Sequence, residues 1–275
     1  MVDLGRPIIP KEHGAWAVLY GSLLVGLGVA GRLTVPVLLL FVGVTAWAFA
    51  NGPITLLARP AAGPGQVGRQ RQALLWLLAY GAVAAAALVP LIALYRMTFL
   101  LPFGMAALFF VVVRVYQLRE RDERTLGGEL IGMAGLTMTA AAAHAVAAEA
   151  AQPLGAMLWG LCLLYFGSGI FYVRMRVQGM LAARQGAPAS ANRAILPCIL
   201  YHALLLIVMP LLAAAGIIPW AILLAFALPI WRAAAGLRRH EARLDLKRLG
   251  WSEVALTSGF VLLLIGALRL SPLAG

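Results

Sequence analysis

Two carboxylates, an imidazole and a set of arginines stand at the edges of long apolar runs, and their types suit proton transfer and the binding of an anion. Glu12 and His13 fall in PKEHGAW, Glu129 in GGELIG, and Arg174 and Arg176 in YVRMR, while Asn51 and Arg59 open and close NGPITLLAR. A Glu or His beside a reacting group moves protons, which makes Glu12, His13 and Glu129 the candidate catalytic acids and bases. Arginine keeps its charge and grips phosphate or carboxylate oxygens in a two-pronged contact. Arg59, Arg174 and Arg176, with Asn51, are therefore the candidate substrate-binding set. Each has a plainer reading beside it. An acid in the first turn of a helix is favoured by the macrodipole by ~0.3–1 kcal/mol, and an arginine near the end of a span snorkels to the surface.

Spacing sharpens the reading. Two positions along a helix rotate by ~200°, so Arg174 and Arg176 cannot point the same way. One is expected to pair with Glu12 or Glu129 while the other serves a ligand. His202 falls in the inner third of its run and His144 in the outer part of another. Such histidines are ordinarily hydrogen-bond partners between helices, and His202 is added to the candidate substrate contacts because of its depth. Arg59, Pro60 and the GPG at 63–65 make a basic loop able to wrap a phosphate. No HExxH, CxxC, Walker loop or GxSxG motif occurs, so no metal or cofactor is implied. Cys162 and Cys198 both lie inside apolar runs, which points to packing rather than to a disulfide or metal site.

Nine apolar runs must position these residues: roughly 13–31, 34–57, 72–92, 97–117, 128–148, 154–178, 194–214, 217–236 and 251–269. Nineteen of the 22 Lys and Arg residues fall in every second gap between them or in the run ends that border it, and only Arg32, Arg96 and Arg269 fall at the others. Basic residues are retained on the cytoplasmic side. The alternation predicts nine crossings of a bacterial cytoplasmic membrane, with the N-terminus inside and the C-terminus outside. A composition of 63% hydrophobic and 12% charged residues, with a mean hydropathy of +0.91, excludes a soluble protein. Backbone groups in hydrocarbon need partners within their own segment, so the expected fold is all-α, a polytopic membrane helix bundle. Nine spans of ~20 residues leave no length for a soluble domain, and residues 1–275 read as a single integral membrane domain. The net charge of +12 sits beside apolar spans, so its partners are expected to be membrane lipid or an anionic ligand and not nucleic acid. The stretch 236–250, GLRRHEARLDLKRLG, is read as a helix lying in the headgroup plane.

An internal echo organises the runs. Sliding residues 12–59 by 117 positions lays Glu12 on Glu129, Pro36 on Pro153, Phe49 on Phe166, Gly52 on Gly169 and Arg59 on Arg176. A shift of four spans preserves orientation, so spans one to four and five to eight read as two parallel four-helix halves, with the ninth span closing the bundle. Pro53, after Asn51 and Gly52, is the proline read as lying well inside a span, at a place where a helix can break.

The opening RPIIPKEHGAW, the nine-run pattern, ArgPro after span two and VRMR after span six resemble the YwiC-like family of bacterial membrane proteins. The resemblance implies a multi-pass membrane protein and carries no reaction with it. The architecture is more remotely similar to the UbiA superfamily of intramembrane prenyltransferases, which places Asp-rich magnesium motifs after spans two and six. The corresponding stretches here, NGPITLLARP and YVRMRVQG, hold no Asp. Magnesium needs carboxylates beside diphosphate oxygens, so the chemistry of that superfamily is not implied even where its fold is.

The leading expectation is a polar cavity facing the cytoplasm that binds an anionic amphiphile, a polyprenyl phosphate or a lipid headgroup. A second is a diverged prenyltransferase-like enzyme that lacks the Asp-rich motifs and uses arginines on the leaving diphosphate. A third is a small-molecule transporter or an assembly partner of a respiratory complex.

Overall fold

The computed structural model describes residues 7–8, 13–58, 66–120, 122, 125–185, 188–237 and 246–270. These form α1 (His13–Ala30), α2 (Val35–Ala58), α3 (Gln66–Ala93), a 3-10 turn at Thr98–Leu100 leading into α4 (Leu101–Glu120), α5 (Leu126–Thr137) and α6 (Thr139–Ala148). They continue as α7 (Pro153–Gln185), α8 (Pro188–Ala214), α9 (Ile222–Leu237) and α10 (Leu246–Leu270). Among the described residues there is no strand, and the fold is an all-α bundle.

Seven of these helices, with α5 and α6 counted as one, are long and apolar enough to cross a membrane. The two shorter apolar helices, Gly14–Ala30 and Ile222–Leu237, reach about 25 Å at 1.5 Å per residue, against a hydrocarbon core of ~30 Å. Every expected run is a helix, but length and composition mark seven spans rather than nine.

Helices run past the expected edges wherever polar residues continue the backbone ladder. α3 begins at Gln66, well before position 72, and α7 continues to Gln185. Four connections at the end opposite the arginines are tight, and each turns on one residue with left-handed backbone: Gly31 (φ +72°), Arg96 (φ +57°), Glu149 (φ +57°) and Gly216 (φ +71°). Gly31 N–H closes the last turn of α1 on Leu27 O at 2.8 Å, the usual way a helix ends in this conformation.

Three expectations need correction. α2 does not break after Asn51; it runs unbroken through Pro53, and Pro90, Pro197, Pro210 and Pro229 also lie inside helices. In a membrane bundle, neighbouring helices tolerate such prolines. The break lies instead at Met138, between α5 and α6. There Thr137 Oγ1 donates to Met133 O at 2.8 Å, and Thr139 Oγ1 donates to Leu136 O at 2.8 Å and to Leu19 O at 3.1 Å. Hydroxyls that take helix carbonyls compete with the backbone ladder. Finally, α10 starts at Leu246, so Lys247 and Arg248 belong to its first turns, while residues 238–245 of the stretch read as a headgroup-plane helix lie outside the described residues.

Small residues let the helices close. On α6, the run TAAAAHAVA is buried throughout, and it packs on α1 at Gly26, where a Cβ would run into the Ala140 carbonyl. This is the close approach that small residues permit between membrane helices. The second half closes around aromatic rings, with Tyr165 of α7 stacked on Phe260 of α10 at 3.7 Å between centroids and Phe226 of α9 edge-on to it at 5.8 Å. α1 packs on α5, α6, α7 and α10. Towards α2 and α3, a chain of rings connects it through Trp16, Phe49 and Tyr80.

The echo extends to element boundaries. A slide of 117 carries Ala30, the end of α1, to Ala147, Val35 to Gln152 and Glu120 to Leu237, each within a residue of the corresponding helix end, whereas Ala58, the end of α2, falls on Met175, ten residues short of the end of α7. In both halves the second helix packs on the third and on the fourth: α2 on α3 and α4, and α7 on α8 and α9.

Candidate functional site

Thr125 starts α5 by accepting Gly128 N–H on its hydroxyl oxygen at 3.1 Å while donating to Asp122 O at 2.8 Å. This cap places Glu129 in the first turn, where the free N–H groups favour an acid. The carboxylate does more than cap. Arg174 of α7 donates from Nε to Glu129 Oε2 at 2.8 Å, with both side chains about one-third exposed. One arginine of the YVRMR pair is thus bound to an acid, as its spacing predicts. Arg176, two residues on, leaves α7 in another direction and is half-buried.

The matching place in the first half is built differently. Asn51 is half-buried on α2, and its carbonyl accepts the Thr55 hydroxyl at 2.8 Å. At Gly52 a Cβ would sit 3.1 Å from Ile8 O, so the segment before α1 lies directly against α2 there. Glu12 and Arg59 lie outside the described residues, and of His13 only its place at the start of α1 is described. Within the described part, Glu129 and Arg174 are brought into contact and Arg176 shares their end of α7.

His202 stands apart from that group. It lies 14 positions into α8, ~21 Å along the helix, in the middle of the element and not in its inner third. Its Nδ1 donates to Cys198 O at 2.8 Å. His144 is buried in α6 and is likewise a residue of the bundle interior. Cys162 and Cys198 are both free and buried.

A second polar cluster escaped the sequence reading. Arg232 belongs to α9, where it is only 6% exposed, although its charge had been counted with the basic gap that follows. Its Nη1 donates to Glu253 Oε2 of α10, its Nη2 donates to Ser168 Oγ of α7 at 3.0 Å, and its guanidinium lies 4.6 Å over the Tyr172 ring. Ser168 in turn donates to Tyr165 O at 2.6 Å. Gly236 makes room for the ring, since a Cβ there would sit 2.5 Å from Tyr172 Cε2. Two signals in the chain pointed here: ionisable residues inside the apolar stretches PIWRAAAG and WSEVALTSG, and the slide of 117, which lays Asn51 on Ser168.

Comparison with known proteins adds one finding. A family model described as YwiC-like protein matches residues 9–144, from just ahead of α1 into α6, and over that stretch the chain is similar to that family. No curated protein and no solved structure matches the chain, so the similarity to the UbiA superfamily rests on the sequence pattern alone. The family match and the apolar helices together make this a multi-pass membrane protein.

Proposed function

We propose that this YwiC-like membrane protein binds an anionic amphiphile, a polyprenyl phosphate or an anionic lipid headgroup, at the end of the bundle where its basic residues gather, facing the cytoplasm. The observation that carries the reading is the Glu129–Arg174 ion pair. It fixes one guanidinium with one carboxylate at the mouth of α5 and α7, while Arg176 adds a further permanent positive charge on the same turn. Ionisable groups at membrane depth ordinarily face a cavity or a partner. Asn51 and Arg59 in the first half, with Glu12 and with His13 at the start of α1, complete the proposed set. Glu129 is held by Arg174, so in this reading it orders the site rather than moving protons.

The test is mass spectrometry of lipids that co-purify with the detergent-solubilised protein. Replacing Arg59 and Arg176 together by Gln is expected to abolish retention of the anionic lipid while the protein still elutes as a folded species. Retention equal to that of the unaltered protein overturns the reading. Incorporation of a labelled isoprenoid into an acceptor by the same preparation would establish a reaction beyond binding.

A further inference from the structure

The Arg232 cluster has a different chemistry from the basic end. Three helices meet at it, α7 with Ser168 and Tyr172, α9 with Arg232 and α10 with Glu253, and α8 borders it through Cys198, to which His202 is bonded. Cys198 packs with Tyr172, Met175 and Ala233, the residue after Arg232, in one buried group, and His202 sits one turn on from Cys198 with its ring against it. Guanidinium and carboxylate cancel, so the cluster carries no net charge to attract an ion.

Its hydrogen bonding is nonetheless incomplete. Among the described residues, Arg232 Nε, Glu253 Oε1 and His202 Nε2 have no partner, although each is buried. Arg232 and His202 are 6% and 5% exposed. His202 Nδ1 donates to a carbonyl, which makes Nε2 of the neutral ring an acceptor. The three atoms are therefore one donor and two acceptors. A buried polar atom without a partner costs about 1–3 kcal/mol, and such groups in proteins are ordinarily met by a hydrogen-bonding molecule.

We infer that Ser168, Arg232, Glu253 and His202 form a second polar site inside the bundle that takes a small neutral hydroxyl-bearing molecule, water or a low-molecular-weight alcohol. A hydroxyl accepts from the Arg232 Nε–H and donates to Glu253 Oε1, and water has a second proton for His202 Nε2. The neutral balance of the pair selects such a molecule over an anion. Ser168 lies six residues before Arg174, which sets this site ~9 Å along α7 from the ion pair at the basic end. It does not depend on any ligand held there.

Radiolytic hydroxyl labelling of the purified protein tests this, because water ordered inside a protein is converted in place and marks the side chains it touches. Met175 and Cys198 flank the site, whereas Met209 is buried in the apolar core. Labelling of Met175 and Cys198 is expected to be several-fold faster than that of Met209; equal rates overturn the site. The double variant Arg232→Leu with Glu253→Leu, checked for folding by gel filtration, is expected to bring the three rates together, and an unchanged ratio overturns the assignment. If that variant does not fold, the ratio in the unaltered protein decides. Ethylene glycol and tert-butanol at matched radical-scavenging strength then separate the sources. Extra protection of Met175 by the smaller diol identifies an alcohol as an occupant, and equal protection identifies water. The Gln variant at Arg59 and Arg176 is expected to keep the ratio, so failure of lipid retention and failure of this site are distinguishable.

Discussion

Arg232 donates to Glu253 from within α9 to the second turn of α10 and, through its other terminal nitrogen, to Ser168 of α7. A single guanidinium thereby fastens three helices that also meet through the rings of Tyr165, Phe226 and Phe260.

Removing one member of this pair leaves the other buried without its counter-charge, which costs about 3–5 kcal/mol. Arg232→Leu alone is expected to lower the thermal midpoint in detergent strongly. Adding Glu253→Leu is expected to recover most of that loss, since paired apolar replacements of a buried ion pair are often neutral. A double variant no more stable than the single one would show that the arginine acts through Ser168 and Tyr172 instead.

The half-exposed pair at the basic end should behave differently. Glu129→Gln is expected to cost roughly 1 kcal/mol or less, because solvent screens the interaction and the Thr125 cap remains. A large fall in thermal midpoint for Glu129→Gln would contradict this.

Close packing of α1 on α6 is tested at glycine. Gly26→Ala would drive a methyl into the Ala140 carbonyl and to 2.9 Å from His144 N, and it is expected to destabilise by about 1–3 kcal/mol. Gly160→Ala on α7 meets nothing within 4 Å and is expected to be neutral or to stabilise by up to ~1 kcal/mol. Thermal unfolding of both variants gives the comparison.

Orientation follows from the basic residues. A reporter that is active only outside the cytoplasm is expected to report when fused after Gly275 and to stay silent in the connection between α2 and α3. The reverse pattern would invert the proposed facing of the Arg174 site.

Most helices were readable because hydrocarbon demands a continuous apolar run, and the chain supplies one for each. Their ends were less readable. The backbone ladder of α3 and α7 continues through polar residues once outside lipid, and hydropathy does not register that. The break at Met138 depends on where two threonine hydroxyls point, and a Thr-Met-Thr triplet does not announce this. That one arginine of the 174/176 pair meets Glu12 or Glu129 was legible because these charges edge apolar runs at the same end, but the choice of Arg174 and Glu129 depends on the fold. Arg232 was not, because its neighbours in sequence, Arg238 and Arg239, made it look like one more member of a basic connection. Only the fold turns it inward, towards an acid 21 residues away.

The four left-handed turns opposite the arginines have a consequence for the bundle. Only a few residues separate successive helix ends there, so among the described residues that face is made of short turns that hold neighbouring helices in register.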